Sequence, residues 1–276
     1  MKNGKTAEEI NKALTSVQET WYKQLLRTAP EFEDYTKFSS PFCLGISKDA
    51  WNEELPLIMY IGEEPNDWWF NDENHHEQDI KYLQEYSIAY LEKQLYSTSD
   101  FWEYQCVKDY PHVFDKQNTS PFWTFIRDVY KENDTIKYNV CWNNLDKLHR
   151  IVESKTKPLT YEMEAELHNI LLFEKSLLLN EIELVKPDII IFMGKYYNES
   201  MAWAMGNNYS VEDLDKHTPS PETFFVSEVK EIPSPLEKII KKMIWIYHPN
   251  YIQLQGAEPH IAAKTQVEEI LKIVKS

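Results

Sequence analysis

The chain has no long apolar run, few cysteines and a shortage of basic residues. No apolar stretch in its 276 residues approaches the roughly 18 residues that a membrane-spanning helix needs. Its first residues lead into a charged helix and lack the apolar core of a signal peptide. We therefore expect a cytoplasmic protein with no membrane partner.

The cysteines exclude most cysteine-based sites. Cys43, Cys106 and Cys141 are odd in number, widely spaced and without a C-x-x-C pair. A disulfide framework, a zinc ribbon and a four-cysteine iron–sulfur cluster are therefore not expected, and buried reduced thiols are. His75 and His76 are adjacent and so do not share one helical face, which favours a solvated acidic loop over a metal site. We expect no metal and no cofactor.

The shortage of basic residues bears on nucleic-acid binding. The chain carries 45 acidic residues against 29 basic ones, a formal net charge of −16. Ten acidic residues and one lysine lie between positions 51 and 90. DNA-binding surfaces are normally basic, because cations must displace the counterions of the phosphates. Avid DNA binding is therefore disfavoured, although a local basic groove would still allow it.

Helical and strand-like segments alternate along the chain. An apolar content of 42% indicates a globular protein. Non-alternating apolar runs predict four buried strands, at 57–61, 138–142, 188–194 and 243–247. Helical spacing predicts helices near 6–25, 78–95, 120–131, 160–185, 196–205 and 260–274 and a short basic helix from 234. We predict a single three-layer α/β/α domain over 1–276 with a central four-stranded parallel sheet. It includes an N-terminal helix and wrap at 1–54 and insertions at 71–118 and 206–233.

Polar residues follow three of the predicted strands. The first strand ends in Gly62-Glu63-Glu64-Pro65, the second in Asn143-Asn144 and the fourth in His248-Pro249-Asn250. The carboxyl ends of parallel strands meet at one edge of a sheet, where α/β proteins bind ligands. An acid, an amide and an imidazole together can orient a water, read the edge of a heterocycle and stabilise a developing oxyanion.

The order of these motifs resembles the uracil-DNA glycosylase superfamily. Gly62-Glu63-Glu64-Pro65-Asn66 is similar to that family's G-Q-D-P-Y or G-E-A-P-G turn, and His248-Pro249-Asn250 is similar to its H-P-S. The likeness covers roughly 55–275, interrupted by the two insertions. Three further segments match in order, namely Ser120-Pro121-Phe122 opening a helix, the strand ending at Asn143-Asn144, and the helix–proline–strand–glycine segment 181–194.

The resemblance implies a hydrolase that flips a nucleobase into a pocket and cleaves its N-glycosidic bond, as a DNA glycosylase does in DNA repair. Glu64 stands where one branch has its catalytic Asp, and Glu63 where another has its Glu. Asn143 or Asn144 corresponds to the residue that reads the base, and His248 to the donor that stabilises the base oxyanion. Trp68, Trp69 and Phe70 are candidates for a stacking ring, with core packing as the alternative for each. The implied partner is DNA or a small nucleotide.

Departures from the family pattern leave an alternative. Glu64 is one methylene longer than Asp, and the second motif lacks the Ser-Pro-Leu-Ser of the best-known branch. The alternative is a non-catalytic member of the same fold that binds a nucleotide or a protein. A groove lined by basic residues would favour a DNA enzyme, whereas an acidic groove would favour a small substrate or a binding module. The candidate basic residues are Lys116, Arg127, Lys147, His149 and Arg150.

Overall fold

The protein is an α/β structure built around one mixed sheet. The computed structural model describes 5–34, 36–48, 52, 54–62, 79–95, 104–109, 118–132, 135–153, 155–160, 162–163, 176–194, 202, 216–221, 225–232, 234, 236–249, 251 and 259–276. The helices in this part are α1 Ala7–Thr28, α2 Ile80–Leu95, α3 Gln105–Asp109, α4 Pro121–Tyr130, α5 Leu177–Val185 and α6 Pro259–Lys275, with 3₁₀ turns at Pro30–Glu33 and Leu236–Lys238. The strands are β1 Leu57–Gly62, β2 Lys131–Glu132, β3 Thr135–Ile136, β4 Asn139–Asn144, β5 Arg150–Val152, β6 Lys155–Lys157, β7 Ile189–Met193, β8 Val226–Glu228 and β9 Lys242–Ile246.

The central sheet has five strands in the order β4-β1-β7-β9-β8. The first four are mutually parallel and correspond to the four predicted strands. The fifth, β8, pairs with β9 in the antiparallel direction, so the prediction of a four-stranded parallel sheet was wrong. β8 is only three residues long and lies within the predicted insertion 206–233. So short a segment shows no periodicity that would distinguish it from a loop.

The helices that flank the site begin where the sequence predicted. Thr6 and Glu9 form a capping box at the start of α1. Ser120 caps α4 by accepting from the N–H of Trp123, and Pro121 occupies the first turn. Of the predicted helix at 160–185, the structure shows the last nine residues as α5, which begins after the N-cap Ser176. Residues 164–175 and most of the predicted helix at 196–205 lie outside the described residues. At 236–238, where a short basic helix was predicted, the chain forms a 3₁₀ turn.

Asp188 ties the amino ends of three parallel strands together. One carboxylate oxygen accepts from the backbone N–H of Leu57 at 2.8 Å, at the start of β1. The other lies 3.1 Å from Lys241, directly before β9. The backbone carbonyl of Asp188 also accepts from the N–H of Lys241. The amino edge of the sheet is thus cross-linked by one side chain, and the described polar strand ends, Asn143-Asn144 and His248, lie at the opposite edge.

The segment before β1 packs onto the chain that follows β4. The backbone N–H of Ser39 donates to His149, and that of Phe42 donates to Lys147. Residues 38–47 are buried. These contacts fix the residues just beyond the carboxyl end of β4. Among the described residues, no helix is long and apolar enough to cross a membrane.

Candidate functional site

The carboxyl ends of the parallel strands lie in register at one edge of the sheet. Gly62, the last residue of β1, is level with Asn144 at the end of β4 and with Met193 at the end of β7. Met193 is in turn level with Ile246, the last residue of β9. The parallel pairing thus carries each strand to the same edge, which is where ligands bind in open α/β sheets.

Asn144 has a buried side-chain amide at this edge that makes no hydrogen bonds with the described residues. It is 1% exposed, and within the described part of the chain neither its Oδ1 nor its Nδ2 has a hydrogen-bond partner. A buried polar group without a partner typically costs about 1–3 kcal/mol of stability. Native proteins leave few such groups, and each one requires an explanation. A ligand that both donates to and accepts from the amide is one such explanation.

Gly62 makes the position of Asn144 possible. A Cβ at residue 62 would lie 2.7 Å from Oδ1 of Asn144 and 3.6 Å from the ring of Phe122. Real Cβ atoms essentially never show the first distance. A glycine at the end of β1 therefore allows the amide of the neighbouring strand to lie against the backbone.

Asn143 points into a different environment. Its Nδ2 donates to Glu181 at 2.9 Å, and its Oδ1 accepts from the ammonium of Lys147 and from the backbone N–H of Asn144. Successive residues of a strand face opposite sides of the sheet, which accounts for the difference between the neighbours. Of the two asparagines predicted to read a base, Asn143 already uses its side-chain amide in hydrogen bonds within the protein. The side-chain amide of Asn144 has no hydrogen-bond partner among the described residues. A base-reading role for either residue stays a prediction.

A buried ion pair anchors Asn143. Lys147 and Glu181 lie 2.8 Å apart, with side chains 3% and 0% exposed. Gln18 of α1 donates to the other oxygen of Glu181 at 2.8 Å. This network joins three segments of the chain, namely α1, the end of β4 and α5, and removal of one charge would leave the other buried and unpaired.

His248 follows β9 and stacks on Phe122 at the start of α4. The ring centroids are 5.7 Å apart and the planes differ by 14°. Burial lowers the pKa of His248 from 6.5 to about 4, so the imidazole is neutral near pH 7. A neutral imidazole can donate one N–H to an oxygen on which negative charge develops.

Phe122 links the predicted site residues and was not itself predicted as one. Its ring lies beside Gly62 and stacks on His248. It therefore connects the end of β1 with the residue that follows β9. The sequence offered one signal, since an aromatic residue stands directly after the proline of a serine-capped helix.

The remaining predicted site residues fall outside the described part of the chain. These are Glu63, Glu64, Trp68 and Phe70, together with Trp69. The sequence places both carboxylates directly after Gly62, and their catalytic roles stay predictions. His75 and His76, in the acidic stretch 72–77, also lie outside the described residues.

The basic residues considered for a DNA groove do not form one in the described structure. Lys147 and His149 are buried, and burial lowers the pKa of His149 to about 4. Arg127 donates to the backbone carbonyl of Asn118 at 2.9 Å. Arg150 donates to that of Pro158. Lys116 lies outside the described residues, so the suggested five-residue groove is reduced to two arginines that bond the chain itself.

The cysteines carry no sign of reactivity. Cys43, Cys106 and Cys141 are buried thiols outside any disulfide, as predicted. Burial raises the pKa of Cys106 to about 12, which keeps its thiol protonated. Within the described ranges, no group of three or more histidine, cysteine or acidic side chains could hold a metal ion.

No protein-family model and no curated protein matches this chain. The fold and the site define an α/β protein with a buried side-chain amide at the carboxyl edge of a mostly parallel sheet. The likeness to the uracil-DNA glycosylase superfamily therefore depends on the motifs in the sequence.

Proposed function

We propose that this chain binds a nucleobase at the carboxyl edge of its sheet and hydrolyses the N-glycosidic bond between that base and its sugar. In this proposal the chain is a divergent member of the uracil-DNA glycosylase superfamily with a three-layer α/β/α fold. The observation that supports it most strongly is the buried, unpartnered amide of Asn144. A fold alone would not support an activity, because one scaffold serves many functions.

Asn144 provides recognition of the base. Its Nδ2 donates to a carbonyl oxygen of the base, and its Oδ1 accepts from an adjacent ring N–H. Uracil, hypoxanthine and xanthine each present such a carbonyl beside an N–H. Pairing of this kind satisfies both of the buried atoms, so the free energy lost in the empty site is regained on binding.

His248 and the two carboxylates provide the chemistry. Water adds to the anomeric carbon, the carbon–nitrogen bond breaks, and the base leaves with the bonding electron pair. The neutral imidazole of His248 donates to the base oxygen on which the negative charge collects. A carboxylate of Glu64 or Glu63 orients the water and stabilises the positive charge on the sugar. The proton that the water loses ends on the departing base.

Release of free base tests this proposal. The purified protein is incubated with nucleosides and with oligonucleotides that contain uracil, hypoxanthine or xanthine, and the released base is separated by chromatography. We expect release by the natural sequence and a loss of about 100-fold or more in Glu64→Gln and in His248→Gln. His217→Gln replaces a histidine that is not among the proposed site residues, so this matched control should retain activity.

The non-catalytic alternative has a distinct outcome in the same experiment. A protein that binds these compounds through Asn144 but releases no base is a nucleotide-binding member of the fold. If the protein neither binds these compounds nor releases a base from them, both forms of the proposal are contradicted. That result would point to a protein partner instead.

A further inference from the structure

We infer that Phe122 is a positioning residue for His248, and that its ring holds the imidazole beside the base that Asn144 reads. This inference rests on the proposed function and deepens it, because it names the side chain that brings the amide and the imidazole to one place. The packing of Phe122 against β4, against the end of β1 and against His248 supports it.

Phe122 lies on the same side of the sheet as Asn144. Trp142 and Asn144 are two residues apart in β4, so their side chains point to the same face. The centre of the Phe122 ring lies 6.4 Å from that of Trp142. A Cβ at Gly62 would contact both Asn144 and Phe122, which places the two side chains side by side at the end of β1.

The ring of Phe122 is held from several sides. It follows Pro121 in the first turn of α4, where Ser120 caps the helix by accepting from the N–H of Trp123. Its ring packs edge-on against Trp123, with centroids 5.2 Å apart and planes at 84°. Trp123 in turn packs edge-on against Trp142 at 5.0 Å, and both tryptophans are buried. Two buried rings thus fix the ring that meets the imidazole.

The main chain that carries His248 is fixed independently of Phe122. The carbonyl before it, that of Tyr247, accepts from Nε2 of Gln266 at 3.2 Å. The carbonyl of His248 itself accepts from the backbone N–H of Tyr251 at 2.8 Å. With the main chain held on both sides, the direction of the imidazole depends on its side-chain torsions.

Contact with Phe122 restricts those torsions. The two rings are nearly parallel, at 14°, with centroids 5.7 Å apart, which is an offset-stacked arrangement. The N–H bonds of an imidazole lie in the plane of its ring, so here they run along the face of Phe122 and not into it. A donor must be held close to its productive direction to act on a reacting oxygen, and the stacked ring supplies that restraint for His248.

NMR spectra of the imidazole test the contact. Comparison with His248→Gln assigns the ring protons of His248, whose resonances are shifted by the ring current of a stacked phenyl group. Phe122→Leu keeps an apolar side chain but removes the flat ring, so we expect it to move these resonances. Nuclear Overhauser contacts between the two rings in the natural protein measure the same contact without a substitution, and their absence would overturn the inference.

Phe125→Leu is the matched control. Phe125 lies on the same helix as Phe122 and packs edge-on against Tyr60 of β1 at 6.5 Å. Because Phe125 is 1% exposed, its replacement should lower the stability of the protein through lost core packing. It should leave the His248 resonances in place.

Kinetics of base release separate positioning from packing. Phe122→Leu should lower kcat about tenfold or more and change KM less than about twofold, because the imidazole acts on the oxyanion of the transition state while Asn144 still binds the base. Phe125→Leu should retain both values.

The possible results have different consequences. Unmoved His248 resonances in Phe122→Leu, or an unchanged kcat, would overturn this inference and leave the proposed function standing. An equal loss of kcat in Phe125→Leu would show a general packing effect and would also overturn it. No release of base by the natural sequence would overturn both the inference and the proposed function.

Discussion

The side-chain oxygen of Asn144 lies so close to Gly62 that a single methyl group at residue 62 would come within 2.7 Å of it. The amide of Asn144 therefore uses the space that a side chain at residue 62 would need. Substitutions at Gly62 or at Asn144 should change the stability and the ligand binding of the protein.

Gly62→Ala should impair both stability and function. The added Cβ must displace the Asn144 amide, and overpacking of this kind typically costs about 1–3 kcal/mol. Gly45→Ala is the matched control, because its Cβ would lie 2.5 Å from Ile88, a residue not among those of the proposed site. Denaturant unfolding and nucleoside binding should show a stability loss in both variants and a binding loss only in Gly62→Ala. Equal binding in the two variants would contradict the role given to this contact.

Replacement of Asn143 and of Asn144 by leucine should change the free energy of unfolding in opposite directions. Asn144→Leu removes a buried amide without a partner and should raise the free energy of unfolding by about 1–2 kcal/mol while abolishing binding. Asn143→Leu deprives Lys147 and Glu181 of a hydrogen-bond partner and should lower it by about 3 kcal/mol. Urea unfolding of both variants measures the difference. A large loss of stability in Asn144→Leu would show that its amide is needed for the fold itself.

The buried pair of Lys147 and Glu181 should behave as a unit. Glu181→Gln leaves an ammonium buried without its counter-charge and should lower the free energy of unfolding by about 3–5 kcal/mol. Lys147→Met alone should cost a similar amount, and the double variant much less than the sum. A double-mutant cycle by chemical denaturation gives the coupling. Additive losses would mean that the pair does not stabilise the end of β4 jointly.

Stability should fall in mild acid because two histidines are held neutral. Burial lowers the pKa of His149 and of His248 from 6.5 to about 4. The unfolded chain therefore binds protons below pH 6.5 that the folded protein does not bind. The free energy of unfolding should be insensitive to these groups above pH 7 and fall between pH 6.5 and pH 4. The slope should reach about 1.4 kcal/mol per pH unit for each histidine.

The variant His149→Gln/His248→Gln checks the acid effect. Unfolding curves at several pH values between 7 and 4 should show a flatter dependence in the variant than in the natural sequence. Identical slopes would mean that neither imidazole is held neutral by the fold.

Much of the sheet could be predicted because its parallel strands are largely apolar. They are buried on both faces, so β1, β7 and β9 appear in the sequence as apolar runs, while β4 has a shorter apolar run between asparagines. Ser120-Pro121 likewise predicted the start of α4 through capping and backbone geometry. β8 and the hairpin of β5 and β6 are only three residues per strand, too short for any period to stand out.

The site was less predictable because its geometry depends on contacts between distant segments. Sequence spacing could not decide between Asn143 and Asn144, since the choice depends on which face of β4 meets Glu181, 38 residues away. Lys147 appeared in the sequence as an available cation, and only the fold brings it against Glu181. The proximity of Phe122 to both Gly62 and His248 likewise arises from packing between separate elements.

The most direct test of a base-reading Asn144 is an NMR titration of side-chain amides. Comparison with Asn144→Leu assigns the amide protons of Asn144, and those of Asn143 provide an internal reference on the opposite face of the same strand. On addition of uridine, inosine or xanthosine, our account predicts large saturable shifts of the Asn144 protons and small shifts of the Asn143 protons. Saturable binding that leaves the Asn144 protons unmoved would show that the ligand is read elsewhere and would contradict the account.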